Sequence, residues 1–175
     1  MFEDLQIIHY PDPRLRKVSE TITAFDDRLA ALVAKMFELM RASKGVGLAA
    51  PQVGENIRLF VANPTGEPGD DRIYVNPILS EPDGGDEEGE EGCLSLPEIN
   101  AKIMRTKTMR IDAQNLRGEP FSDTQSGYIA RIWQHEFDHL NGTMIIDRMG
   151  ALAKMAAKKT LKELEETYAE NKKKQ

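Results

Sequence analysis

Apolar and polar residues follow two different periods along this chain, and the switches between them mark out elements. From Asp26, the segment DDRLAALVAKMFELMRAS sets Leu29, Leu32, Val33, Met36 and Met40 at helical spacing, with Asp26 or Asp27 available as N-cap. Gly45 ends that helix, and GVGLAAPQVGENIRLFVANP then reads as a glycine-punctuated loop entering a strand near 57–62. RIYVNPIL predicts a second strand, and AKIMRTKTMRIDAQN one or two more. YIARIWQHEFDHLNG returns to the helical period and stops at Asn141-Gly142. From Ala151, ALAKMAAKKTLKELEETYAENKKKQ predicts a further amphipathic helix that frays into lysines. Strands broken by one central helix predict an α+β fold. Its mixed or antiparallel strands would wrap around that helix, with one helix in the N-terminal half and one at the C-terminus. With no internal repeat or linker, residues 1–175 are expected to form a single domain, about 150–175 being the C-terminal helix and lysine-rich tail.

Composition narrows the class. A chain of 175 residues can bury a core without disulfides, and its one cysteine permits none internally. That usage fits a reducing compartment. The opening MFEDLQIIHYPDPRLR has early acids and no apolar h-region, so no signal peptide is expected there. No apolar run approaches the roughly 20 residues that span a bilayer. The expected location is therefore cytoplasmic. A net charge of -6 argues against general nucleic-acid binding.

Charge also raises a question about Cys93. Seven of the eleven residues at positions 81–91 are Asp or Glu. Such a run reads as a solvated loop. Negative neighbours disfavour a thiolate, so Cys93 is either an inert, buried side chain or has a positive partner elsewhere.

The densest chemistry is His135-Glu136-Phe137-Asp138-His139, an H-E-x-x-H pattern on a predicted helix. At about 100° per residue, the two histidines lie about 40° apart, so both imidazoles can reach one ion. Glu136 sits about 60° from His139, placed to hold a water without being a ligand. Tyr128 and Ile132 share the site face. Ile129, Trp133 and Leu140 form a core-facing stripe, while Arg131, Gln134, Asp138 and Asn141 fall on the opposite, polar side. A catalytic site of this kind usually has three protein ligands and one open position. The third could come from Cys93, from Asp147 or from the tail glutamates. His9, in a proline-flanked segment, has no partner at ligand spacing and reads as structural.

Three segments together resemble the peptide deformylases: GVGLAAPQVG, EGCLSLP and QHEFDHLNG, in the family's order and at compatible spacing. YPDPRLR is similar to the family's N-terminal segment. The resemblance implies a metal held by Cys93, His135 and His139, commonly Fe(II), with Zn(II), Ni(II) or Co(II) able to occupy the same ligands. It implies hydrolysis of the formyl group from N-formylmethionyl nascent peptides, releasing formate, by a metal-bound hydroxide. Glu136 would be general base and acid; Gln52 and the Leu94 backbone N–H would stabilise the oxyanion. The peptide would lie extended between Gly45, Val46 and Gly47 on one side and Gly92 on the other. Val46, Tyr128 and Ile132 would line the methionine pocket. For some members the resemblance also implies ribosome contact through the C-terminus; a solvated terminus is the simpler reading of these lysines. An H-E-x-x-H metallo-endopeptidase is the alternative from another enzyme class.

Overall fold

The computed structural model describes residues 1–174. The first predicted helix forms as α1, Asp27–Ala42, and the Asp26 carboxylate caps it by accepting the Leu29 N–H at 3.0 Å. Capping of this kind satisfies one of the amide donors that a helix start leaves without a partner. The stripe of Leu29, Leu32, Val33, Met36 and Met40 is buried. It packs on Leu48, Leu59, Val61 and Val75, three of the strands described next.

Those strands are β1 (Gly47–Ala49), β2 (Leu59–Ala62), β3 (Arg72–Cys93), β4 (Leu96–Gln114) and β5 (Pro120–Ser126). They form one sheet in the order β1-β2-β3-β4-β5, and every ladder is antiparallel. Three helices follow: α2 (Tyr128–Leu140), the short α3 (Ile145–Arg148) and α4 (Ala151–Lys173). The expected α+β arrangement is present, with α2 laid against the sheet. Ala130, Ile132, Trp133 and Leu140 of α2 pack on Phe60, Tyr74, Met109 and Ile111.

Three local expectations need correction. The acidic run is not a loop but the second half of β3, paired with β4 through Glu87↔Arg105, Glu88↔Met104, Glu90↔Lys102 and Glu91↔Ala101. Most of its carboxylates stay in solvent while the backbone hydrogen-bonds to the neighbouring strand, so solvation and strand pairing are compatible. Gly84 and Gly85, at φ +76° and +71°, absorb the register shift between Asp83 and Asp86. Of the one or two strands expected over AKIMRTKTMRIDAQN, one forms, as part of β4. The glycine loop contains β1, and β5 had no predicted counterpart. Finally, α4 does not fray before its lysines but continues through Lys173.

Candidate active site

The C-terminal half of α2 presents one edge to a cleft of about 440 Å³ between β1 and the β3–β4 hairpin. His135 and His139 stand there with ring centroids 5.2 Å apart. His139 and Glu136 are buried, as the helix geometry requires of the edge facing the sheet. Burial raises the Glu136 carboxyl to about 7, and its Oε2 has no hydrogen-bond partner. The same buried position leaves His139 Nδ1 without one.

The opposite wall is the tip of the hairpin. Cys93 pairs with Leu96, so Leu94 and Ser95 make a two-residue turn against α2. Cys93 Sγ lies 3.4 Å from His139 Nε2. Ligand atoms of Cys93, His135 and His139 all fall within 4.8 Å of one another, a grouping that could hold a metal ion. Metal–sulfur and metal–nitrogen bonds of about 2.3 and 2.0 Å, at a tetrahedral angle, put sulfur and nitrogen about 3.5 Å apart. The donor set and its spacing therefore fit a divalent ion. Electrostatics separates the imidazoles: burial opposes charge on both, but Cys93 and Glu91 bonding holds His135 well above the usual range. His139 falls well below it, through burial and the neighbouring His135 charge. A cation would compete with the proton that this cluster attracts.

Gln52 closes the cleft from a third side, on the 3₁₀ turn Ala50–Val53 that follows β1. Its Oε1 accepts the Ala49 N–H at 3.0 Å, which turns Nε2 toward Ser95 Oγ (3.2 Å) and Cys93 Sγ (3.5 Å). Two glycines bring the walls close. A Cβ on Gly45 would meet Leu94 Cδ1 at 2.7 Å, and one on Gly47 would meet Glu136 Oε1 at 2.5 Å. Gly92 likewise leaves room for Asn100 Oδ1, 2.8 Å from where its Cβ would be. Val46, Tyr128 and Ile132 all line the cleft. Ile132 is buried, whereas Tyr128 is 54% exposed and stands at the rim rather than in the core. The residues picked from the sequence thus meet in or beside one cleft, except that His9, Asp147 and the tail glutamates stay outside the cluster. Asp147 is engaged by Arg16 and by the Met144 N–H at 2.8 Å.

What the sequence did not reveal lies behind the histidines. Glu91 Oε1 is 2.9 Å from His135 Nδ1 and accepts from Arg105 Nη2 at 2.9 Å, while its Oε2 accepts from Arg105 Nε at 3.0 Å. Arg131 adds a contact to Glu91 at 2.7 Å. Arg105 Nη1 also reaches Asp138 at 2.6 Å, and Asp138 in turn accepts from Arg148. Glu91, Arg105 and Asp138 are all buried. Burial alone would raise the Glu91 carboxyl, but His135 and Arg105 outweigh it and hold it at about 2. The polar side of α2 is thus not simply solvated: Arg131 and Asp138 clamp it to the hairpin. One sequence signal for this existed. Arg105 continues the inward phase of Ile99, Ala101 and Ile103 along β4, and a charge at such a position demands buried partners.

Relatives are similar in sequence and shape. Residues 4–155 match the polypeptide deformylase family. The Arabidopsis thaliana chloroplastic/mitochondrial peptide deformylase 1B is 43% identical over 168 residues, 95% of this chain. This chain spans 62% of the length of that relative. The peptide deformylase of Thermotoga sp. strain RQ2 is 44% identical over 158 residues, covering 90% of this chain and 94% of that one. A plant peptide deformylase crystal structure superposes with a TM-score of 0.92 at 42% identity, covering 97% of this chain and 93% of that chain. A thiol and two imidazoles around one point, a buried glutamate beside them, and relatives alike over almost the whole chain lead to one conclusion: this chain belongs to the polypeptide deformylase family.

Proposed function

We propose that this chain removes the formyl group from the N-terminal formylmethionine of newly made peptides by metal-dependent hydrolysis, releasing formate. The observation that carries this is the meeting of Cys93, His135 and His139 within 4.8 Å, at the wall of a cleft that also holds Glu136 and Gln52. Cys93, His135 and His139 would hold the ion, and we assign Fe(II), with Zn(II), Ni(II) and Co(II) compatible with the same donors. When bound, such an ion supplies a Lewis acid and lowers the pKa of water.

The residues supply the rest. Glu136, buried, with a free Oε2 and a carboxyl near 7, is suited to take a proton from water and return it to the leaving amine. Gln52 Nε2 and the Leu94 backbone N–H would donate to the oxygen that gains charge as the formyl carbon becomes tetrahedral. Substrate would lie extended along Gly45, Val46 and Gly47, with Gly92 opposite. β1 is an edge strand of the sheet, which supports such pairing. Val46, Tyr128 and Ile132 would receive the methionine side chain. For the lysine-rich end we keep the solvated reading, since Lys172, Lys173 and Lys174 are all exposed. No helix among the described residues is long and apolar enough to cross a membrane. We assign the cytoplasm as the compartment, while the Arabidopsis relative is named for chloroplast and mitochondrion.

The test is formate release from formyl-Met-Ala by protein prepared anaerobically with iron. Glu136→Gln should retain the metal and lose turnover. Absence of formate release from the wild type overturns the proposal, and an active Glu136→Gln overturns the role given to Glu136.

A further inference from the structure

Among the described residues, one buried side chain touches the proposed oxyanion donor and has no role so far. Ser95 is fully buried, and its Oγ lies 3.2 Å from Gln52 Nε2. The orientation of the Gln52 carboxamide is not arbitrary. The Ala49 N–H can only donate, so the oxygen must face it and the nitrogen must face the hairpin turn. One nitrogen hydrogen is then taken by Ser95 Oγ, and the other lies on the side of Cys93 Sγ, 3.5 Å away.

The backbones beneath this contact are tied together as well. The Ile8 N–H donates to the Gln52 carbonyl at 2.8 Å, and the Tyr10 N–H donates to the Ser95 carbonyl at 2.9 Å. The stretch 8–10 therefore bridges the 3₁₀ turn and the hairpin tip. Both ends of the Gln52–Ser95 contact are fixed before any ligand arrives. A donor held in place reorganises less as charge develops, which is the source of its catalytic value.

We propose that Ser95 is a positioning residue, which fixes the Gln52 carboxamide so that one N–H remains directed at the reacting carbonyl. The proposal rests on the deformylase reading above. Without the hydroxyl, the amide keeps its Ala49 bond but can swing about it, and transition-state binding suffers more than ground-state binding.

The experiment compares wild type, Ser95→Ala, Gln52→Ala and the double variant as iron-loaded, full-length protein. For formyl-Met-Ala, Ser95→Ala should lower kcat about 10-fold while KM changes less than about 2-fold, a part of the ~10²-fold that one lost donor costs. In the Gln52→Ala background the same change should cost nothing further. In zinc-loaded protein, the Gln52 side-chain amide proton facing Ser95 should move upfield on loss of its acceptor. If Ser95→Ala fails to fold, Ser95→Cys keeps the volume with a weaker acceptor and carries the same expectations. An unchanged kcat, or an equal loss in both backgrounds, overturns the proposal. A wild type that releases no formate overturns the deformylase reading, and this proposal with it.

Discussion

Gly47→Ala is the sharpest test of how the cleft is built. Gly47 stands in β1 directly against Glu136. An added Cβ would lie 2.5 Å from Oε1, 3.0 Å from Cδ and 3.1 Å from Cγ of that side chain. Ordinary carbon–oxygen contact needs roughly 3.2 Å or more, so the carboxylate must retreat by about 0.7 Å. Glu136 is only 4% exposed, but its Oε2 has no partner holding it. Moving it therefore breaks no hydrogen bond at Oε2, and the stability cost should stay near the low end of overpacking, about 1 kcal/mol. Activity responds differently. A misplacement on the order of 1 Å at a reacting group can cost about 10²-fold in rate. We expect Gly47→Ala to lose roughly two orders of magnitude in kcat, with metal content retained and Tm lowered by only a few degrees. The assay is steady-state formate release, run beside metal analysis and thermal melts on the same preparation. A variant with wild-type kcat would show that Glu136 does not need this position, and the proton-transfer role would fail with it.

Three further outcomes follow from the surrounding contacts. Cys93→Ser should greatly weaken metal binding, measured by dialysis against a chelator, whereas an H-E-x-x-H endopeptidase taking its third ligand elsewhere would keep it. Arg105→Ala strips one partner from buried Glu91 and Asp138, and should cost about 3 kcal/mol in denaturant melts, the lower end for breaking a buried pair because Arg131 and Arg148 remain. The Glu91 carboxyl sits at about 2 when folded against 4.5 as the reference, a depressed value. Its stabilisation is therefore full above about 4.5 and disappears as pH falls toward 2, so metal-free protein should lose Tm across that window. Glu91→Gln should flatten that loss; an unchanged slope would refute the coupling.

What could be read from the sequence depended on whether a residue's reason lay nearby. The faces of α2 follow from a 3.6-residue period, so the pairing of His135 with His139 and the burial of Ile132 and Trp133 needed no knowledge of the sheet. Cys93 was different. Its acidic neighbours argued against a reactive thiol, and only an unfinished two-histidine site argued for one. β5 was missed because PFSDTQS has almost no apolar alternation; it pairs with β4 through its backbone, at the sheet edge. β1 was missed for its length, three residues in a glycine-rich run.

The acidic run is the instructive case, because two opposite electrostatic facts were compressed into one string of like charges. Glu87, Glu88 and Glu90 face outward or sit at the rim, where charge costs little. Glu91, one residue further, turns inward, because neighbouring residues in a strand face opposite sides. There it meets Arg105 and Arg131, 14 and 40 positions away, which a window along the chain cannot see. So the negative charge nearest Cys93 is the one already neutralised. It bonds His135 Nδ1 and leaves Nε2 as the nitrogen available to an ion, which is how a carboxylate that should discourage a thiolate comes to support the site that needs one.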